Sequence, residues 1–186
     1  MFVQTARPPS SIPRYHPAMV VLHWLMLVLL AATLASIQLY EWFPRGSELR
    51  AFMKNTHFML GLLAWMLVMV RLLTRLATSQ PPQAEGSIWM QRAAQAGHLA
   101  LYAWMVVLPM LGWASLSAAG KPIPFFGLEL SPWLELDKPL ARNLKELHEA
   151  VGEAGYWLIG LHAAAALTHH FVLKDGLLHR MSLRRT

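Results

Sequence analysis

Four runs of apolar residues, each close to the length needed to cross a bilayer, take up most of this 186-residue chain. They fall at about 18–40, 52–75, 97–117 and 147–173, and none alternates as a half-buried strand would. In hydrocarbon a backbone must satisfy its own N–H and C=O groups, so each run is expected to form a helix. The first, AMVVLHWLMLVLLAATLASIQLY, spans roughly 30 Å at about 1.5 Å per residue. The second centres on HFMLGLLAWMLVMV and reaches bilayer length only if Arg71 and Arg75 snorkel from its end. The third contains Pro109, which is expected to bend it. Little but connecting loops remains, so the expected fold is an all-α membrane protein, a four-transmembrane-helix bundle forming one domain over 1–186. The long stretch between the third and fourth runs is too charged and proline-rich to be buried and is expected to lie on the membrane surface.

Composition narrows the chemistry. The chain has no cysteine, which excludes disulfides, iron–sulfur clusters, thiolate-held metals and covalent haem attachment through CxxCH. Sixteen Lys and Arg stand against ten Asp and Glu, but the basic residues cluster at the ends of the apolar runs, which points to a lipid surface and not to nucleic acid. Met1 to Pro17 lacks the short apolar core of a removable signal peptide, so the first run is expected to be retained. Placing both termini inside puts nine basic residues on the inner side and seven outside, the arrangement the positive-inside rule favours.

Nine histidines carry the chemical signal. His23, His57, His98, His148 and His162 lie within the apolar runs or at their edges, where an ionisable group is costly unless paired or liganded. With the N-terminus inside, His23 and His98 fall near the inner side, and His57 and His148 near the outer. His162 follows His148 by fourteen residues, about 40° short of four turns and roughly 21 Å along the axis. The fourth helix can therefore give one ligand to an outer haem, with His57, and one to an inner haem, with His23. Such bis-imidazole haems favour electron transfer over oxygen binding. Gly61 and Ala163 to Ala166 offer room for a flat macrocycle. His98 is a rival for His23 or a neighbour of a haem propionate or quinone. His169, seven residues beyond His162, is placed to meet a second substrate at the inner rim, His170 reads as interfacial, and His16 and His179 read as solvated. The eight tryptophans read as belt and packing residues.

The motifs LHWLM around His23, TH followed by Gly61, AGHL around His98, LKELHEAVGEAGYWLIGLH through His148 and His162, and AAAALTHHFVLKD together resemble the prokaryotic cytochrome b561 family from Arg14 to the tail. Within that family the chain is most similar to its superoxide-oxidising members. The resemblance implies two haem b groups held by His23 with His162 and His57 with His148, ubiquinone reduction near the inner haem involving His169, and a multi-pass location in the bacterial inner membrane with cytoplasmic termini. The chain departs from that pattern at Leu25, where a small hydroxyl residue is expected.

The leading functional expectation is thus superoxide:ubiquinone oxidoreduction, with lipid, ubiquinone and superoxide as partners. Candidates for steering the anion are Arg45, Arg50, Lys54, Lys121, Lys138, Arg142 and Lys145, foremost Arg142 and Lys145, which stand just before His148. A second reading is a quinol- or hydrogenase-linked b-type electron-transfer subunit. A third is a histidine-based metal transporter, which would want acidic ligands within the spans; only Glu149 and Glu153, near one end of the fourth helix, could serve.

Overall fold

The computed structural model describes residues 14–82 and 86–183. Arg7, Arg184 and Arg185, which entered the charge asymmetry, lie outside the described residues. Four long helices dominate: α1 (Pro17–Tyr40), α2 (Glu48–Ala77), α3 (Ile88–Ala118) and α4 (Lys138–Thr168). A two-stranded hairpin, β1 (Ile123–Phe125) and β2 (Leu128–Leu130), lies between α3 and α4. A π-helical turn over His169–Leu173 and a 3-10 turn over Leu177–Met181 end the chain.

α1, α2 and α3 are long and apolar enough to cross a membrane. α4 is as long as α3, at 31 residues, but glycines, histidines and a charged first half dilute its hydropathy. All four helices outrun or displace the apolar runs because side-chain caps, not hydropathy, set their starts. Ser47 accepts from the Arg50 N–H, Ser87 from Met90 and Asp137 from Leu140. α3 therefore begins at Ile88 instead of about 97, and α4 at Lys138 instead of about 147. α4 also ends at Thr168, before the π-helical turn, instead of running to 173. The expected surface loop is correspondingly shorter and partly ordered. Ile123 at the start of its hairpin is only 2% exposed, and the turn passes through Phe126 (φ 48°) and Gly127 (φ 87°), the positive-φ pair that closes a two-residue hairpin.

α1 packs along α2 and α3 along α4, with a lesser contact between α2 and α3. α4 packs closely on α3 alone among the long helices, so its other face is held off from α1 and α2. Gly155 creates the closest approach in the α3–α4 seam. Trp104, 5% exposed, lies against it and donates its Nε1–H to the Val151 carbonyl at 2.8 Å, and any Cβ at 155 would overlap the indole ring. Most remaining large apolar residues, such as Val28, Leu73 and Leu161, face outward, as helices in lipid require. At the chain ends, the Tyr15 N–H donates to the Arg180 carbonyl at 3.3 Å and Trp24 Nε1–H to the Met181 carbonyl at 2.8 Å. The described ends of the protein therefore lie together at one end of the bundle.

Gly155→Ala is expected to lower the thermal unfolding temperature in detergent by the equivalent of about 1–3 kcal/mol, the usual cost of overpacking. Gly152→Ala, whose added Cβ would meet only Leu108 at 4.0 Å, should leave it unchanged or raise it by up to about 1 kcal/mol through helix propensity.

Candidate haem and substrate sites

The structure brings together both histidine pairs read from the sequence. The His57 and His148 rings lie 6.2 Å apart between centroids, and the His23 and His162 rings lie at the same 6.2 Å. Two imidazoles on opposite sides of one metal, with metal–nitrogen bonds of about 2.0–2.1 Å and about 1.1 Å from nitrogen to ring centre, would stand about 6.3 Å apart. Both pairs fit that separation.

Calling the His57–His148 end outer and the His23–His162 end inner, as expected from the sequence, each outer ring is also oriented by a third helix. His57 Nδ1–H donates to the Thr33 carbonyl of α1 at 3.1 Å, and His148 Nδ1–H to the Leu108 carbonyl of α3 at 3.0 Å. A carbonyl only accepts, so the proton sits on Nδ1 and Nε2 is left as the ligating atom. Gly112 lets His148 come this close, since a Cβ there would fall 3.0 Å from the imidazole. Gly61, Gly97 and Gly160 face open space, with nothing within 4 Å of an added Cβ. Thr56 Oγ1, beside His57, and Trp113 Nε1, beside Gly112, are buried polar atoms without a protein partner. Spacing, tautomer, room and orphaned polar groups all suit a flat cofactor with polar substituents.

At the inner level His98 stands 5.7 Å from the His162 ring, so the rivalry with His23 has a geometric basis, though the 6.2 Å match belongs to His23. The expectation that Arg71 snorkels is overturned. Its Nε–H donates to the Tyr102 hydroxyl on α3 and its Nη1 to the Met19 carbonyl on α1, each at 3.0 Å. His169 is half-buried, and its Nδ1 is paired with the Asp175 carboxylate. Asp175 was not singled out in the sequence. The π-helical turn and Lys174 in the left-handed region (φ 52°) carry it back onto His169. Its burial opposes ionisation, but hydrogen bonds from His169 and from the Leu177 N–H hold its carboxyl below the ordinary value. His16 caps α1 through the Ala18 N–H, and the His170 and His179 rings meet edge-on at 5.8 Å. Leu25 is half-exposed on α1.

Of the seven steering candidates, Lys54, Lys121, Arg142 and Lys145 line one cavity of about 440 Å³, with Phe58 next to His57 also in its wall. Arg45 and Lys138 are not among its lining residues. Arg50 is engaged by Glu41, the Phe43 carbonyl and the Tyr40 ring. Arg142 and Lys145 pair with Glu146 and Glu149 on the same helix, whereas Lys54 and Lys121 make no ion pair among the described residues. A second cavity, of about 340 Å³, lies at the inner end beside Trp24, Leu178, His179 and Met181. The Trp24 indole meets the His23 ring edge-on at 5.5 Å.

The family profile described as prokaryotic cytochrome b561 matches residues 14–182. The protein named cytochrome b561 homolog 1 of Escherichia coli (strain K12) is 36% identical over 177 residues, covering 92% of this chain and 98% of that protein. The probable superoxide oxidase CybB of Yersinia pestis is 36% identical over 169 residues, with 90% and 95% covered. Cytochrome b561 homolog 2 of E. coli is 30% identical over 183 residues, with 90% of each covered.

The Asp175 carboxyl is expected to titrate, by NMR, below the ordinary value of about 3.9. The pair it forms with His169 therefore stabilises the inner-rim turn above that pH and is lost as pH falls through the lower folded value. In His169→Ala the midpoint should rise toward the ordinary value, and an unchanged midpoint would remove His169 as the cause.

Proposed function

Because the chain belongs to the prokaryotic cytochrome b561 family, we propose that it is a four-span, di-haem membrane oxidoreductase taking electrons from superoxide outside and delivering them to ubiquinone inside. Two superoxide anions, one ubiquinone and two protons would give two oxygen molecules and one ubiquinol. The observation that carries the reading is the placement of the cation-lined cavity beside His57 and His148, at the opposite end of the bundle from His169. The likeness to a probable superoxide oxidase supports the same choice of donor.

The meeting of the chain's described ends supports four crossings. Three spans alone would leave Tyr15 and Arg180 on opposite sides of the bilayer, yet they share a hydrogen bond, which supports α4 as a fourth span despite its diluted composition. With the positive-inside count, this supports an inner-membrane protein with both ends cytoplasmic.

A b-type haem held by two imidazoles would supply one-electron transfer. His57 with His148, and His23 with His162, would hold the two haems. Thr33 and Leu108 hold the two outer rings in the ligating tautomer. Lys54 and Lys121, free of carboxylate partners among the described residues, would draw a small anion into the outer cavity, with Arg142 and Lys145 contributing less because Glu146 and Glu149 offset them. At the inner rim, His169, backed by the Asp175 carboxylate, is positioned to hydrogen-bond a quinone carbonyl and pass it a proton. The apolar second cavity beside Trp24 lies within reach of the same level. A metal-transport reading draws no support, since among the described residues no three His, Asp or Glu side chains form a metal-ion site.

A pyridine haemochrome assay is expected to give two haem b groups per chain. His57→Ala or His148→Ala should remove one haem while sparing the other, and His162→Ala should remove the other. One haem per chain in the unaltered protein would overturn the two-pair assignment.

Stopped-flow haem reduction after a superoxide pulse tests the donor. Raising the salt should slow the reaction, since screening acts over about 8–10 Å at physiological ionic strength, and Lys54→Gln with Lys121→Gln should slow it several-fold more than Arg142→Gln. His169→Ala should keep both haem spectra yet slow reoxidation by ubiquinone. If neither salt nor the lysine substitutions matter, the superoxide reading fails and a general b-type electron carrier takes its place.

A further inference from the structure

Arg71 has no role in the reading above, and a charged group at this depth is expensive to keep. It follows His57 by fourteen residues, the same offset that separates His148 from His162, so it stands about 21 Å further along the bundle, at the inner level. α4 places a ligand at that offset; α2 places a guanidinium. The group is pinned between the Tyr102 hydroxyl and the carbonyl of Met19, itself only 1% exposed. Both partners are neutral, and among the described residues Arg71 makes no ion pair. Its charge therefore reaches its surroundings uncompensated by a carboxylate, one helical turn from His23, which follows Met19 by four residues, and one turn from His98, which precedes Tyr102 by four.

The outer level is built differently. Its cations, Lys54, Lys121, Arg142 and Lys145, are exposed at the mouth of the cavity, where water screens them, and the last two are paired with carboxylates. The bundle thus holds a part-buried, unpaired positive charge at one histidine pair and only solvent-screened cations at the other. In a low-dielectric interior such a charge favours whichever state of a neighbouring redox group has taken up an electron.

We propose that Arg71 sets the direction of electron flow: its fixed charge makes a haem held by His23 and His162 easier to reduce than one held by His57 and His148. This rests on the two-haem reading and deepens it. Arg71 is a tuning residue that touches neither substrate, and it also ties α1, α2 and α3 together. The redox readout separates these roles, because a purely structural tie would not move a midpoint potential in an assembled protein.

The test is spectroelectrochemical titration of single-haem variants. His57→Ala, retaining the inner haem, should show a higher midpoint than His162→Ala, retaining the outer. In the His57→Ala background, Arg71→Gln keeps a side-chain donor but removes the charge. It should lower the inner midpoint by at least tenfold in the reduction equilibrium, about 59 mV for one electron, while Arg71→Lys should stay near the parent. An inner midpoint no higher than the outer, or one unmoved by Arg71→Gln, overturns the inference. Should Arg71→Gln fail to assemble, the comparison of the two single-haem variants, with Arg71 intact, still decides it. Absence of two haems from the unaltered protein is a different result, the failure of the two-haem reading itself.

Discussion

Every polar group inside the hydrocarbon must find its partner within the protein, and the arrangement of this bundle follows from how its imidazoles do so. His57 and His148 each commit Nδ1–H to a backbone carbonyl of a third helix, Thr33 on α1 and Leu108 on α3. Each such bond fixes a ring and at the same time ties two helices. The remaining nitrogens then point across the space that α4 leaves between itself and α1 and α2. A bundle packed only for hydrophobic contact would have closed that gap. Here the most extensive packing is along the α1–α2 and α3–α4 seams, and α4 approaches α1 and α2 through the histidine rings 6.2 Å apart and a Gln38–Tyr156 hydrogen bond of 2.7 Å.

How much of this was legible in the sequence depended on whether the governing rule is local. The four histidines could be placed because helical rise and rotation alone carry His148 to His162, and antiparallel order brings His23 and His57 alongside. Helix ends were less legible. Hydropathy stops at the membrane interface, while Ser87 and Asp137 start their helices in polar sequence where the apolar signal is silent. The 123–130 hairpin was missed because its turn uses Phe126 and Gly127 in place of the asparagine–glycine pair that usually announces one. Asp175 was missed because its approach to His169 depends on a π-helical turn, a change in hydrogen-bond register that HHFVL does not advertise.

Arg71 shows a different limit. An arginine near the end of an apolar run can reach outward to the interface or inward to a carbonyl, and the local sequence is the same in both cases. The structure decides it through two distant residues, Met19 and Tyr102. The fourteen-residue offset from His57 was available in the sequence, but it acquires meaning only once the guanidinium is known to turn inward.

The steering candidates illustrate how pairing bears on a ranking based on proximity in sequence. Arg142 and Lys145 stand closest before His148, yet their position on an exposed helical face gives each a carboxylate four residues on, and solvent-exposed i,i+4 pairs present a weakened field to an approaching anion. Lys54 and Lys121 come from α2 and from the turn after α3, far apart in sequence, and meet only because the α2–β1 contact folds the hairpin over the outer end of the bundle. Burial of Ile123 anchors the hairpin there and so brings the chain around Lys121 to the cavity mouth. The same logic explains why an outer surface with many acidic residues can still present a local cationic opening. Field strength near a cavity depends on which charges lack a partner there, and a count of residues over the whole face cannot reveal that.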